Sequence, residues 1–241
     1  MKNTIKMFIA ATLLTPVAVM GGIRCELGIL TLDTLARDNP ATGEPWKVGD
    51  QYRLVFLTST DGDHVGTEYG DIEWYNARMQ ALADASTAYS ISTTDGVTWK
   101  VIGSTAAVDA RDNTATNPNV HGDGHPVFLL DGNTLIAADF NELWSGTIRN
   151  GINVTEKGEE RSWHWALTGT LNDGTKRTGT NNASAERTPL GGSAPGQAGS
   201  LISEWIYRIS TSSTSPLPYY AMSMPLTIRK PDTRIIRMVK E

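Results

Sequence analysis

Two neighbouring stretches decide the fold: QYRLVFLT at Gln51 to Thr58 and DIEWYNARMQALADA at Asp71 to Ala85. In the first, Tyr52, Leu54, Phe56 and Thr58 fall on one face of an extended chain, with Val55 and Leu57 on the other. A strand with both faces buried at its end is expected. In the second, Ile72, Tyr75, Met79 and Leu82 recur at three- and four-residue intervals, which gives a helix a single apolar stripe. Asp71 stands where a side-chain oxygen caps the free N–H groups of that helix. So wide a stripe must be buried, and the preceding strand is the nearest apolar surface. The pair predicts an α+β domain.

Further along, Trp99 to Gly103 (WKVIG) reads as a short strand, and Asp109 to Gly124 as polar and irregular. Pro126 to Leu130 (PVFLL) is a buried strand ended by the turn Asp131-Gly132-Asn133, with Thr134 to Ala138 as the returning arm. Phe140 to Trp144 is a helical turn stopped by Gly146. Ser162 to Leu167 (SWHWAL) alternates, with Trp163 and Trp165 on one face and His164 on the other. Thr168 to Gly199 is rich in Thr, Gly, Asn and Ser and reads mostly as loop, a length usually functional or mobile. Glu204 to Ile209 and Tyr219 to Ile228 close the domain as strands. Neither an internal repeat nor a linker is visible. One domain is expected over residues 51–228, with residues 23–50 joining it and residues 229–241 forming a basic tail.

Towards the N-terminus, Lys2 and Lys6 precede a run from Met7 to Gly22 that carries no charge. A cationic start followed by an apolar stretch is the pattern of a secretory signal peptide. The run is interrupted by Pro16 and is shorter than the roughly 20 residues that span a bilayer. Residues 1–22 are therefore expected to be a signal, cut between Met20 and Ile23, and the protein to be secreted or held in the periplasm or cell envelope. Cys25 follows Arg24 rather than the small residue that precedes a lipidated cysteine, so it reads as a lone thiol. No later apolar run reaches membrane-spanning length.

Composition removes several classes. Of 241 residues, 39% are hydrophobic and 20% charged, which suits a folded domain and neither a disordered chain nor a long-helix protein. The net charge of −5 opposes nucleic-acid binding, which needs a basic face. One cysteine excludes an internal disulfide and a Cys-rich zinc module.

Candidate chemistry is scattered. His121, Asp123 and His125 in HGDGH are donor types suited to a transition metal, although the two glycines between them favour a solvated loop. Asp61 and Asp63, with Glu68 and Asp71, and also Asp131, Asn133, Asn172 and Asp173, are oxygen ligands of the kind calcium takes. They are equally turn formers, and no EF-hand spacing occurs. Calcium is weighed beside that transition metal, and no cofactor is expected. His64 reads as a loop residue and His164 as an outward strand residue. Asp109, Arg111 and Asp112 in DARDN read as a structural network in which an Arg fork between two carboxylates pins the loops. No G-x-S-x-G, H-E-x-x-H or P-loop is present. A carboxylate pair for glycoside hydrolysis stays open, with Glu142, Glu159, Glu160 and Glu204 as candidates. Trp99, Trp144, Trp165 and Trp205 are expected in the core; Trp46 and Trp163 are left open. Asn153-Val154-Thr155 and Asn182-Ala183-Ser184 are sequons that matter only in a eukaryotic secretory pathway.

The order of YRLVFLTST, the long helix, WKVIGSTAAVDARDN, PVFLLDGNTLIAADFNELWSG, the run Trp165 to Thr175 and YYAMSMPLTI resembles the endostatin-like branch of the C-type lectin-like fold. It is also similar to uncharacterised exported bacterial proteins carrying such a domain. Many of those end in a sorting anchor, whereas RKPDTRIIRMVKE lacks the apolar span of one. The resemblance implies a twisted antiparallel sheet with one long and one short helix, and a long irregular loop region that binds. The lectins' Glu-Pro-Asn or Gln-Pro-Asp motif and later Trp-Asn-Asp are absent, as are the disulfides that brace their loops. Calcium-dependent sugar binding is therefore not implied. Nor is the chemistry of the formylglycine-generating enzymes, which needs cysteines deep in the domain.

These readings converge on an exported, non-enzymatic binding or surface domain whose partner is a glycan or an extracellular protein. Trp163, Asn172, Asp173, Asn181 and Asn182 are the expected ligand contacts. The alternative is a secreted carbohydrate-active hydrolase using a carboxylate pair, and a third, minor reading is a metal-dependent protein using His121 and His125.

Overall fold

Apolar residues at alternate and adjacent positions of Gln51 to Leu57 demand cover on both sides, and that demand organises the molecule. A computed structural model describes residues 38–60, 71–177, 190, 195–208 and 216–229. The expected signal, Cys25, Asp61, Asp63, His64, Glu68, Asn181, Asn182 and the tail beyond Arg229 lie outside the described residues. β1 (Gln51–Leu57) is the middle of a sheet whose order is β2 (Trp99–Val101), β7 (Tyr220–Ser223), β1, β3 (Val127–Leu129), β4 (Leu135–Ala137), with β8 (Leu226–Thr227) also on β1. A second, two-stranded sheet pairs β5 (Trp165–Leu167) with β6 (Pro195–Gln197). No helix among the described residues is long and apolar enough to cross a membrane.

The expected alternation is met. Tyr52, Leu54 and Phe56 enter a cluster with Ile72, Tyr75, Met79, Trp99 and Phe128, while Val55 and Leu57 enter another with Ile136, Trp144, Trp205 and Tyr220. The first cluster is covered by α1 (Ile72–Asp84), whose N-cap Asp71 accepts the Trp74 N–H at 3.0 Å. The expected stripe of Ile72, Tyr75 and Met79 is buried, Leu82 packs half-buried against the same cluster, and Asn76 and Ala83 widen the buried face. Asn76 belongs there because β2 is a sheet edge. Its Oδ1 accepts the Val101 N–H at 3.0 Å, Gln80 Oε1 accepts the Trp99 N–H at 3.0 Å, and Asn113 donates to the Val101 carbonyl at 2.8 Å. Helix side chains thus occupy bonds a further strand would otherwise take.

The sheet is mixed α+β in character but not wholly antiparallel, since β1 and β3 run parallel. The other pairs, β1–β7, β1–β8, β2–β7, β3–β4 and β5–β6, are antiparallel as expected. A long excursion through α1 and β2 separates β1 from β3, and such a crossover is what a parallel pair requires. Tyr219 to Ile228 is not one strand, because Pro225 has no N–H for the ladder. Beside that gap the Leu54 N–H donates to Ser223 Oγ at 2.9 Å, and the Arg53 guanidinium donates to the Ser223 carbonyl at 3.1 Å.

Three other segments differ from expectation. Asp109 to Gly124 contains α2 (Ala110–Asn113) and α3 (Pro118–His121). Asn117 caps α3 through the Asn119 N–H at 3.1 Å and Pro118 opens it, a start signal embedded in a polar run. Phe140 to Trp144 gives α4 (Phe140–Leu143), capped by Asp139, so the described chain has one long helix and three short ones. Glu204 to Ile209 is not a strand: its described part holds a 3-10 turn, Ser203–Trp205. Both edges of β5 are already used, by β6 and by the Pro218 carbonyl, so Trp205 and Tyr207 bond back to Ile202 and Ser203.

Arg53 is the one charged side chain on the central strand and is 2% exposed. Its Nη1 donates to the Thr114 carbonyl at 2.7 Å and its Nη2 to the Ala115 carbonyl at 3.1 Å, while Phe140 lies under the guanidinium at 5.2 Å. Burial pulls its pKa down to about 10. The donors pin the backbone between α2 and α3, where Ala115 has φ +51°.

Candidate functional site

Aromatic residues sort sharply by exposure. Trp46, Trp99, Trp144 and Trp205 are buried, and Trp74 and Trp165 are half-buried with the Arg78 and Arg208 guanidinium groups 5.6 and 4.6 Å from their rings. Trp163 is 86% exposed. Burying an indole is normally a large gain, so an indole left in water needs a local cause. Here the cause is the backbone: the His164 N–H donates to the Arg161 carbonyl at 3.2 Å, which makes Trp163 a corner of a tight turn leading into β5. It does not share a strand face with Trp165.

The turn is held from two sides. On one, a hairpin tip places Val154 opposite Glu160, and the Arg161 N–H donates to the Asn153 carbonyl at 2.7 Å. That hairpin is tied to the sheet by the Leu57 N–H on the Val154 carbonyl, and by the buried Glu156 carboxylate, which accepts the Ser59 N–H at 2.8 Å and the Ser59 hydroxyl. On the other side, Ala198 donates to the His164 carbonyl at 2.9 Å. Gly199 passes so close that a Cβ there would lie 2.5 Å from the Ser162 carbonyl oxygen. Leu201 and Ile202, 46% and 58% exposed, follow directly.

Next to Trp163 the polar side chains form a closed set. Asn153 Nδ2 donates to Glu160 Oε1 at 3.2 Å and to Ser162 Oγ at 2.9 Å, and Ser162 Oγ donates to Glu160 Oε1 at 2.8 Å. Arg161 pairs with Glu159 at 3.1 Å, and His164 is exposed. An exposed indole on a turn that also carries mutually bonded amide, hydroxyl and carboxylate groups offers the two contact types a polyhydroxylated ligand uses, stacking on a ring and bonding at its hydroxyls.

The remaining expected site residues lie elsewhere. Asn172 and Asp173 occupy the tip of a hairpin that bridges Thr170 to Lys176. Asp173 Oδ1 accepts from the Thr175 N–H at 3.0 Å and its hydroxyl at 2.6 Å, and Asn172 packs on Gly146. Burial pushes the Asp173 carboxyl up, but the Thr175 bonds and the Arg111 charge outweigh it, and the net shift is downward. This is turn chemistry, as is Asp131, which accepts from Asn133 and Thr134.

Arg111 is not a fork between Asp109 and Asp112. Its Nη1 donates to the Asp173 carbonyl at 3.2 Å, Asp109 accepts the Lys176 N–H at 2.9 Å, and Asp112 accepts from Asn117 at 2.7 Å. Each of the three still ties a loop down, but to a separate partner.

His121, Asp123 and His125 do not converge. The Asp123 carboxylate accepts from Asn141 at 2.9 Å, His121 ends α3, and His125 turns its ring edge to Phe140. Among the described residues no group of three or more His, Cys, Asp or Glu side chains is arranged to hold a metal ion.

Asn153, Glu160 and Ser162 escape sequence reading as a unit. The signals available were the turn formers Lys157-Gly158 and the dense polar run just before Trp163. No protein-family model matches this chain, and no curated protein matches it.

Proposed function

We propose that this is an exported, non-enzymatic binding domain that holds a glycan on the Trp163 turn. The observation that carries the reading is the exposed indole on a hydrogen-bonded turn, next in sequence to Ser162, which is bonded to Asn153 and Glu160. Trp163 is the most exposed of the tryptophans, and the exposed Leu201 and Ile202 follow the Gly199 segment that passes against its turn, so the apolar surface there extends beyond one ring. Export is supported by the charge pattern of residues 1–22. The C-type lectin-like, endostatin-like architecture belongs to the same proposal, supported by the order strand, long helix, strand, long excursion and closing strand.

The hydrolase alternative has less behind it. Glu142, Glu159 and Glu204 each face an arginine, at 2.7, 3.1 and 3.7 Å. Burial raises the Glu142 carboxyl, but its bonds from Arg149 and the Ala138 N–H bring it below the usual range, the opposite of what a general acid needs.

The test is a glycan array with the full chain and its Trp163→Ala variant. Binding to a sugar class that disappears in the variant is the expected result. Binding that survives unchanged moves the site away from this turn, and silence across the array removes the glycan reading. Sequencing the N-terminus of the protein released by a secreting host checks export; an intact Met1 would sink it.

A further inference from the structure

Resting on that reading, we infer that the Trp163 platform selects its sugar by charge: it takes neutral or amino-bearing rings and rejects anionic ones. Both donating groups of the polar set, the Asn153 amide and the Ser162 hydroxyl, are spent on Glu160 Oε1 or on each other. What this set itself leaves over accepts only, at Glu160 Oε2, Asn153 Oδ1 and the second Ser162 lone pair, so that the full charge at its edge is the Glu160 carboxylate, while the indole N–H and His164 supply the donors of the turn.

Glu160 is exposed and has no cationic partner among the described residues, while neighbouring Arg161 is engaged by Glu159. A sugar hydroxyl can donate into such a set, and an ammonium can donate and neutralise it. A uronate, sulfate or sialic carboxylate brings lone pairs against lone pairs and charge against charge. At the separation of groups in contact, across a water-exposed surface, that repulsion lowers affinity about tenfold.

The experiment uses the full chain, with the Trp163 indole N–H resonance identified by its loss in Trp163→Phe. Methyl glucoside, methyl glucosaminide and methyl glucuronide, and the corresponding galactose series, are titrated at low and high salt. The expected result is saturable shifts with the neutral and amino rings and about tenfold weaker binding of the carboxylated ring. That gap should narrow at high salt, and Glu160→Gln should bring the glucoside-to-glucuronide ratio to about twofold or less. A uronate that binds as well as the neutral ring overturns the inference while the glycan reading stands. So does a tenfold gap that Glu160→Gln leaves in place. No shift of the Trp163 resonance with any ring overturns the glycan reading, and the inference with it.

Discussion

Trp99 and Trp163 carry the same side chain into opposite surroundings. Trp99 lies on β2, under α1, with its indole N–H donating to the Ile91 carbonyl at 2.7 Å and Phe56 edge-on at 4.7 Å. Trp163 sits at a turn corner whose flanking backbone is fixed while its ring touches solvent. The difference lies in what the backbone on either side is bonded to, not in the residue. A strand bonded along its length hands alternate side chains to the core, whereas a turn corner hands its side chain to water.

The widest consequence is in stability. Trp99→Ala should remove about 3–5 kcal/mol, because a rigid core cannot close over the space of an indole. Trp163→Ala should stay within about 0.5 kcal/mol of the parent, as surface changes do. Denaturant unfolding of both variants measures the contrast. Similar losses would mean that the Trp163 ring is packed, and the platform reading would fall.

This contrast also marks how far the sequence could be read. Periodicity in Gln51 to Thr58 and Asp71 to Ala85 announced β1, α1 and the two buried faces, because alternation and three-to-four spacing are local consequences of burial. The short strands at Trp99, Val127 and Leu135 were legible for the same reason. The mixed sheet was not, since strand direction depends on which strands become neighbours. Asn76 on the buried helix face was hidden too, because its partner at Val101 is distant in sequence. Trp163 could be noticed as uncommitted, but its set of Asn153, Glu160 and Ser162 depends on a hairpin that folds back on the turn.

A second break in the comparison lies at Arg53, a charge held inside the core region rather than displayed. Arg53→Met relieves a buried cation but strands the carbonyls of Thr114, Ala115 and Ser223. Hydrogen bonds from a charged donor to buried acceptors outweigh the relief, so a loss of about 3 kcal/mol is expected in chemical denaturation. A variant as stable as the parent would show that water reaches those carbonyls.

The turn can be disturbed without touching its side chains. A methyl group on Gly199 meets the Ser162 carbonyl, so Gly199→Ala must push the two backbones apart. About 1–2 kcal/mol of stability should go, as overpacking demands, and the Trp163 indole N–H resonance should move. An unmoved resonance would mean that the turn is held by the Asn153 side alone.

The smallest effect expected is a dependence on pH at His125, which belongs to neither tryptophan and so calibrates both. Burial, and then the charge of Arg53, hold its pKa below the ordinary 6.5. In the unfolded chain the imidazole takes a proton as pH falls through 6.5, while the folded protein resists until a lower pH. Between those points the unfolded state binds more protons, so stability declines as pH drops. The full contribution is present above 6.5 and is lost as pH falls through the folded value. Glu142, Asp173 and Asp84, whose pKa values are also lowered, titrate around and below their ordinary 4.5, 3.8 and 3.8, so among the described residues the window from 6.5 to 5 belongs to the histidine. Thermal melts at pH 7.5 and 5 should therefore differ less in His125→Gln than in the parent. An equal drop in both would place the responsible proton on another group, and the Arg53 charge would then be screened from this loop more completely than its buried position implies.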